Sequence, residues 1–338
     1  VETLILKPTD IEKAAAFIQE GELVAFQTET VYGLGADATN DEAVKKIYQA
    51  KGRPSDNPLI VHIANKEQVT DYVTHIPNKA EQLMDVFWPG PLTIIMELKE
   101  GTLAPTVTAG LDSVGIRMPD SPSALRLIER SGKPLAAPSA NTSGKPSPTT
   151  AQHVFHDLKG KVAAIVDDGE TGVGLESTVL DLTEPEKPTI LRPGGVSKEQ
   201  LEQVIGPVFL DQHLVEESET PRAPGMKYTH YSPEEPVYVV AEDGRGWEHA
   251  LKIFRERGEK IGLLASEELI AKYGKEAAAV YSLGPKENVR EASRLLYSGL
   301  RYFETTEATV ILAESYAELD IGQAFMNRLE KAAGKKYI

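Results

Sequence analysis

"AAIVDDGETGVGLESTVLDLTEPEKPTILRPG", residues 163–194, decides the fold. AAIVDD, STVLDL and TILRPG read as strands, and only Gly-, Glu- and Pro-rich turns separate them. Strands that succeed one another without a helix do not form βαβ crossovers. A pure doubly wound fold is therefore disfavoured, and the expected class is α/β with a mixed, twisted sheet. Upstream, helix and strand patterns alternate. DIEKAAAFIQEGE is a helix with Asp10 as N-cap, followed by the strand LVAF, the helix DEAVKKIYQAK and the strand LIVHI. NKAEQLMDVFW, SPSALRLIERSG, TTAQHVFHDLKG and VSKEQLEQVIG are further helices, and LTIIMEL, VGIRM and PLAAPS further strands. Beyond residue 237 four strands alternate strictly with helices, which calls for a small Rossmann-like domain with a parallel sheet. The expected division is a mixed-sheet domain over 1–208, a linker over 209–236 and the parallel domain over 237–338.

Composition narrows the function. The 338 residues carry 36 Lys and Arg against 51 Asp and Glu, and the formal net charge of -15 opposes broad, non-specific nucleic-acid binding. The absence of cysteine excludes disulfides, thiolate nucleophiles and zinc–thiolate sites, and suits a reducing cytoplasm. With neither a basic N-terminal region before an apolar stretch nor a long apolar run, a soluble, unexported protein is expected.

Familiar nucleotide motifs fail. In TSGKPS the position five before Gly144 is Ser139, so no Walker loop exists, and GLGAD lacks the third glycine of a dinucleotide fingerprint. His153 and His156 read as a helical surface pair. What remains is a series of polar clusters beside apolar strands. QTETVYGLG offers the hydroxyls of Thr28, Thr30 and Tyr32. In KGRPSDN, Lys51 and Arg53 lie two apart and, on an extended segment, would grip one polyphosphate, with Asn57 and His62 close behind. Arg117 stands in an apolar strand; Ser139, Asn141, Ser143 and Ser147 occupy a Gly- and Pro-stiffened loop; Ser177 and Arg192 follow. A solvated turn, a core histidine and a structural ion pair remain plain readings of single clusters. Together, four cations at Lys51, Arg53, Arg117 and Arg192 in an acidic chain favour a pocket for a polyanion and a small polar molecule.

The strings TETVYGLG, KGRPSDNPLIVHI, FWPGPLT, VGIRMPD, APSANTSGKPSPT, ESTVLDL, LRPGG and PGMKYTHYSP resemble the threonylcarbamoyl-AMP synthase family in its long form, a YrdC-like domain plus a smaller C-terminal domain. The resemblance implies a nucleotidyltransferase that converts L-threonine, bicarbonate and ATP, with Mg2+, to threonylcarbamoyl-adenylate and pyrophosphate. A separate tRNA threonylcarbamoyl transferase complex would consume the product, in the cytoplasm, without stable tRNA binding by this chain. Carried over by motif, Thr30, His62, Arg117 and Ser177 would hold L-threonine. Lys51, Arg53, Asn57, Ser113, Ser139, Asn141, Ser147, Arg192 and Tyr231 would hold ATP, with Lys51 and Arg53 as the catalytic cations. The resemblance marks no metal ligand and no general base; residues 209–236 would act as a lid. Gln27 stands where relatives commonly have proline. The rival readings are an RNA-binding module with a nucleotide pocket, opposed by the net charge, and a hydrogenase-maturation carbamoyl transferase, which would bring cysteine zinc motifs.

Overall fold

A computed structural model describes residues 1–211, 220–227, 230–241 and 246–338, in two compact units. The first comprises 1–143, 147–172 and 176–228; the second comprises 144–146, 173–175 and 229–338.

The first unit is built on a mixed sheet. Its strands are β1 (Leu4–Leu6), β2 (Val24–Phe26), β3 (Gly33–Asp37), β4 (Val61–His62), β5 (Leu92–Glu97), β6 (Ser113–Arg117), β7 (Leu135–Ala136), β8 (Ala164–Val166), β9 (Thr178–Asp181), β10 (Thr189–Arg192) and β11 (Phe209–Leu210). The spatial order is β1-β8-β2-β3-β7-β4-β6-β5-β9-β10-β11. Pairs such as β4/β6 and β5/β9 run parallel while β2/β3, β5/β6 and β9/β10 run antiparallel, which is the mixture the helix-free run after residue 163 requires.

The inner strands bury both faces, whereas Ile5 of β1 and Phe209 of β11 lie exposed at the two edges, and the pleat sorts the buried residues. Val61, Ile94, Ile116 and Leu180 point into one large core together with Ala25, Leu34 and Ala36. On the opposite face Val24 and Phe26 pack with Ile11, Ile18, Leu127 and Ile128 from helices Ile11–Gln19 and Pro122–Ser131. Farther along that second face Ile60, Ile95, Val179 and Leu191 gather around Ala223, so part of the stretch read as a linker packs within the first unit.

Two local expectations change. Asp10 stands at the N-cap position of helix Ile11–Gln19 but makes no side-chain cap; its carboxylate accepts from Lys7 N at 3.0 Å in the preceding 3-10 turn. GLGAD, tested above only as a nucleotide loop, is strand β3, the return of a hairpin from β2. Glycine is needed there for packing: a Cβ on Gly35 would lie 2.8 Å from Cε1 of Phe26.

The second unit contains β12 (Val237–Val240), β13 (Ile261–Ala265), β14 (Ala279–Ser282) and β15 (Val310–Glu314). All its pairings are parallel, in the order β12-β15-β13-β14, as strands alternating with helices predict. The helices are Gly246–Glu256, Glu267–Tyr273, Val289–Tyr302 and Gly322–Ala332.

Candidate active site

The pleat that sends Val61 and Ile116 into the core turns His62 and Arg117 to the other face, and the β4/β6 register sets them side by side. Thr93 and Ser177 share that face through neighbouring strands, and their hydroxyls meet at 2.8 Å. Arg192 should point the other way by strict alternation from Ile190. A bulge between Ile190 and Arg192 re-aims it, so that Nε reaches Ser177 O at 3.1 Å and Nη2 reaches Ser177 Oγ at 3.2 Å. The following RPGG turn hugs the same backbone: a Cβ on Gly194 would lie 2.3 Å from Ser177 C.

His62 is buried, edge-on to Phe26 with centroids 6.3 Å apart. Burial, and secondarily the charge of Arg117, pushes its pKa down to about 3, so the ring is neutral at any working pH. Its Nδ1 has no hydrogen-bond partner, unlike a core histidine with a satisfied ring. Arg117 donates through Nη1 to Glu29 Oε1 at 2.8 Å and Gly90 O at 3.1 Å, and through Nη2 to Thr30 Oγ1 at 3.1 Å. Thr28 and Thr30 are joined at 2.9 Å, and Thr28 also donates to Val31 O at 2.6 Å. Glu29 is the residue that motif reasoning missed. The available signal was that a buried arginine needs a carboxylate, and TET supplies one between the two threonines.

Lys51 and Arg53 are not on an extended segment. Lys51 is the last residue of helix Asp41–Lys51, and Gly52, at φ 66°, reverses the chain before Arg53. Lys51 lies buried, donating Nζ to Asn141 O at 2.7 Å and to Ser139 O. Lys51 is also the basic residue of its helix's last turn, where positive charge is favoured. Ser143 N closes the tie with Lys51 O at 2.9 Å, so helix end and APSANTSG loop form one cradle. Arg53 donates to Pro58 O at 2.8 Å and lies 6.0 Å from the Tyr48 ring, whose hydroxyl holds Asn57 O at 2.8 Å. Asn57 is buried with Oδ1 lacking a hydrogen bond, a second acceptor awaiting a donor. The loop is braced by Lys227, which meets Asp56 at 3.1 Å.

Ser139 pairs with Gly33 across an isolated bridge, and Ser147 donates to Glu176 Oε2 at 2.6 Å. Ser113 occupies the far end of β6 from Arg117, where it lines a small cavity with Pro58, Thr93 and Arg222. Tyr231 belongs to the second unit: buried, at φ 61°, its ring lies 5.6 Å from Tyr297 and 5.5 Å from the Arg328 guanidinium. His153 accepts from Thr149 N at 3.1 Å while His156 is exposed beside Asp157. Among the described residues no cluster of three or more His, Cys, Asp or Glu could hold a metal, and no helix is long and apolar enough to cross a membrane.

The first unit, with this sheet face and its lysine-anchored loop cradle, is an α/β domain of the Sua5/YciO/YrdC class by its match to a family model. The family model of that class, described as "Telomere recombination", matches residues 16–194. A second, described as "Threonylcarbamoyl-AMP synthase, C-terminal domain", matches 196–334. Threonylcarbamoyl-AMP synthase of Bacillus subtilis is 52% identical over 97% of this chain and 94% of its own length. That of Pyrococcus abyssi is 48% identical over 97% and 95%. The crystal structure of P. abyssi Sua5 complexed with L-threonine superposes with a TM-score of 0.93 at 46% identity, covering 100% of this chain and 99% of that one. The chain belongs to the threonylcarbamoyl-AMP synthase family, as its motifs led us to expect.

Proposed function

We propose that the chain converts L-threonine, bicarbonate and ATP to threonylcarbamoyl-AMP and pyrophosphate. The observation that carries this reading is the side-by-side pair of Arg117 and neutral His62, an anion receptor next to a hydrogen-bond acceptor with an unused lone pair. Such a pair suits the carboxylate and amine of an amino acid, with Thr30 and Ser177 as hydroxyl partners. The cradle of Lys51, Arg53, Asn57, Ser139 and Asn141, extended by Ser147 and Arg192, would take the nucleotide. Ser113 and Tyr231 stay proposed ATP contacts of the ligand-bound state, with residues 209–236, of which 212–219 and 228–229 lie outside the described residues, as a proposed lid that would exclude water from a hydrolysable adenylate.

In the proposed reaction the threonine nitrogen adds to bicarbonate-derived CO2, and a carbamate oxygen attacks the α-phosphorus as pyrophosphate leaves. Lys51 and Arg53 would position the triphosphate and offset its charge. Mg2+ would arrive with ATP and neutralise phosphate charge. A tRNA-modifying transferase complex is the proposed consumer, and the cytoplasm the proposed compartment. The test is pyrophosphate release from ATP and Mg2+ with threonine and bicarbonate omitted in turn. Release that requires both supports the reading; release that needs neither makes the protein a nucleotide hydrolase.

A further inference from the structure

Arg117 has five N–H donors and spends three on protein acceptors: two from Nη1, to Glu29 and Gly90, and one from Nη2, to Thr30. Nη1 is saturated. Nε–H and the second Nη2–H make no protein hydrogen bond among the described residues. A guanidinium used this way has one nitrogen fixed by the protein and donors left over for a ligand. Glu29 is itself pinned, because its Oε2 accepts from Asp120 N at 2.9 Å while Oε1 faces Arg117. With both carboxylate oxygens engaged, Glu29 stays put as a ligand arrives.

We infer that Glu29 is a positioning residue that holds Arg117 by its far nitrogen and balances its charge, so that the site selects an amino-acid zwitterion over a simple carboxylate. The inference rests on the reading that Arg117 receives the carboxylate of L-threonine. A buried arginine with no counter-charge attracts any small carboxylate. With Glu29 2.8 Å away the pair is close to neutral, and a mono-anion meets a carboxylate as well as a guanidinium. An ammonium group on the same ligand offsets that repulsion. His62 adds no competing positive charge, since burial keeps it neutral. The device also discriminates against the cell's plain hydroxy acids, whose size and hydroxyl alone would pass.

The experiment is calorimetric titration of the full chain with L-threonine and with 3-hydroxybutyrate, which is threonine without its amino group. Wild type should prefer threonine, and Glu29→Gln should shrink that preference by roughly tenfold, the effect of one uncompensated charge at this range. Any loss of Arg117 orientation weakens both ligands alike and cancels in the ratio. Glu29→Asp keeps the charge and should weaken both while preserving the ratio. An unchanged ratio in Glu29→Gln overturns the inference. If that variant does not fold, equal affinity of wild type for the two ligands overturns it instead. Failure of the underlying reading is a different result: Arg117→Ala would bind threonine as tightly as wild type.

Discussion

His62 should make the first unit acid-sensitive in a way that one substitution removes. Its pKa is depressed from 6.5 to about 3 in the folded chain, so the unfolded chain binds a proton that the native ring refuses. Stability from this group is therefore complete above pH 6.5 and is lost as the pH falls toward 3. Each pH unit in that window removes about 1.4 kcal/mol, and the loss between pH 7 and pH 5 comes to about 2 kcal/mol. His62→Gln keeps a polar side chain but cannot titrate, and it should lack this increment. Trp88, whose indole donates to Leu92 O at 2.8 Å in the first unit, is the reporter, in a Trp247→Phe background that silences the second tryptophan. Urea midpoints at pH 7 and pH 5 for both proteins give the comparison. If they lose stability in parallel over that interval, the buried neutral ring is wrong.

Other perturbations follow from the same contacts. Lys51→Met removes the donor shared by the Ser139 and Asn141 carbonyls; it should cost about 2 kcal/mol in urea unfolding and raise the KM for ATP far more than that for threonine. Gly194→Ala would drive a methyl to 2.3 Å from Ser177 C, so a melting temperature lowered by several degrees and near-complete loss of adenylate formation are expected. Arg222 pairs with Asp181 at 2.6 Å and Asp211 at 2.9 Å, yet is half exposed; Arg222→Ala should cost under about 1 kcal/mol, less so in high salt. Tyr32→Phe deletes a hydroxyl that donates to Gly169 O at 2.7 Å and accepts from Asp168 N at 3.1 Å, and a loss of about 1 kcal/mol should appear in thermal denaturation.

Periodicity showed much of the fold because the helices are one-sided and the strands, though short, are apolar runs bounded by turn residues. LTIIMEL and VGIRM alternate clearly, and their inward set is the large core. β3 escaped because GLGAD has two glycines and no β-branched residue; its place depends on Phe26, contributed by another strand. Lys51 and Arg53 were identified as cations and helix DEAVKKIYQAK was read to its observed end, but the extended reading of KGR overlooked Gly52, whose φ of 66° caps the helix and reverses the chain between the two cations. The orientation of Arg192 comes from a bulge that no alternation rule supplies. Glu29 was invisible because its meaning is relational: it matters only once Arg117 is known to lie within reach.

The pleat separates two kinds of residue along the same strands. In β5, β6 and β9 the inward positions Ile94, Ile116 and Leu180 hold the core, while Thr93, Gly115 and, just before β9, Ser177 lie on the other face. Selection can therefore retune one set with little disturbance to the other. A library confined to positions 93 and 177 would vary the paired hydroxyls of the proposed amino-acid site while leaving the large core of Ile94, Ile116 and Leu180 in place; Gly115 stays fixed, because a Cβ there would lie 3.1 Å from Thr93 Cγ2 and 3.6 Å from Ile95 Cγ1.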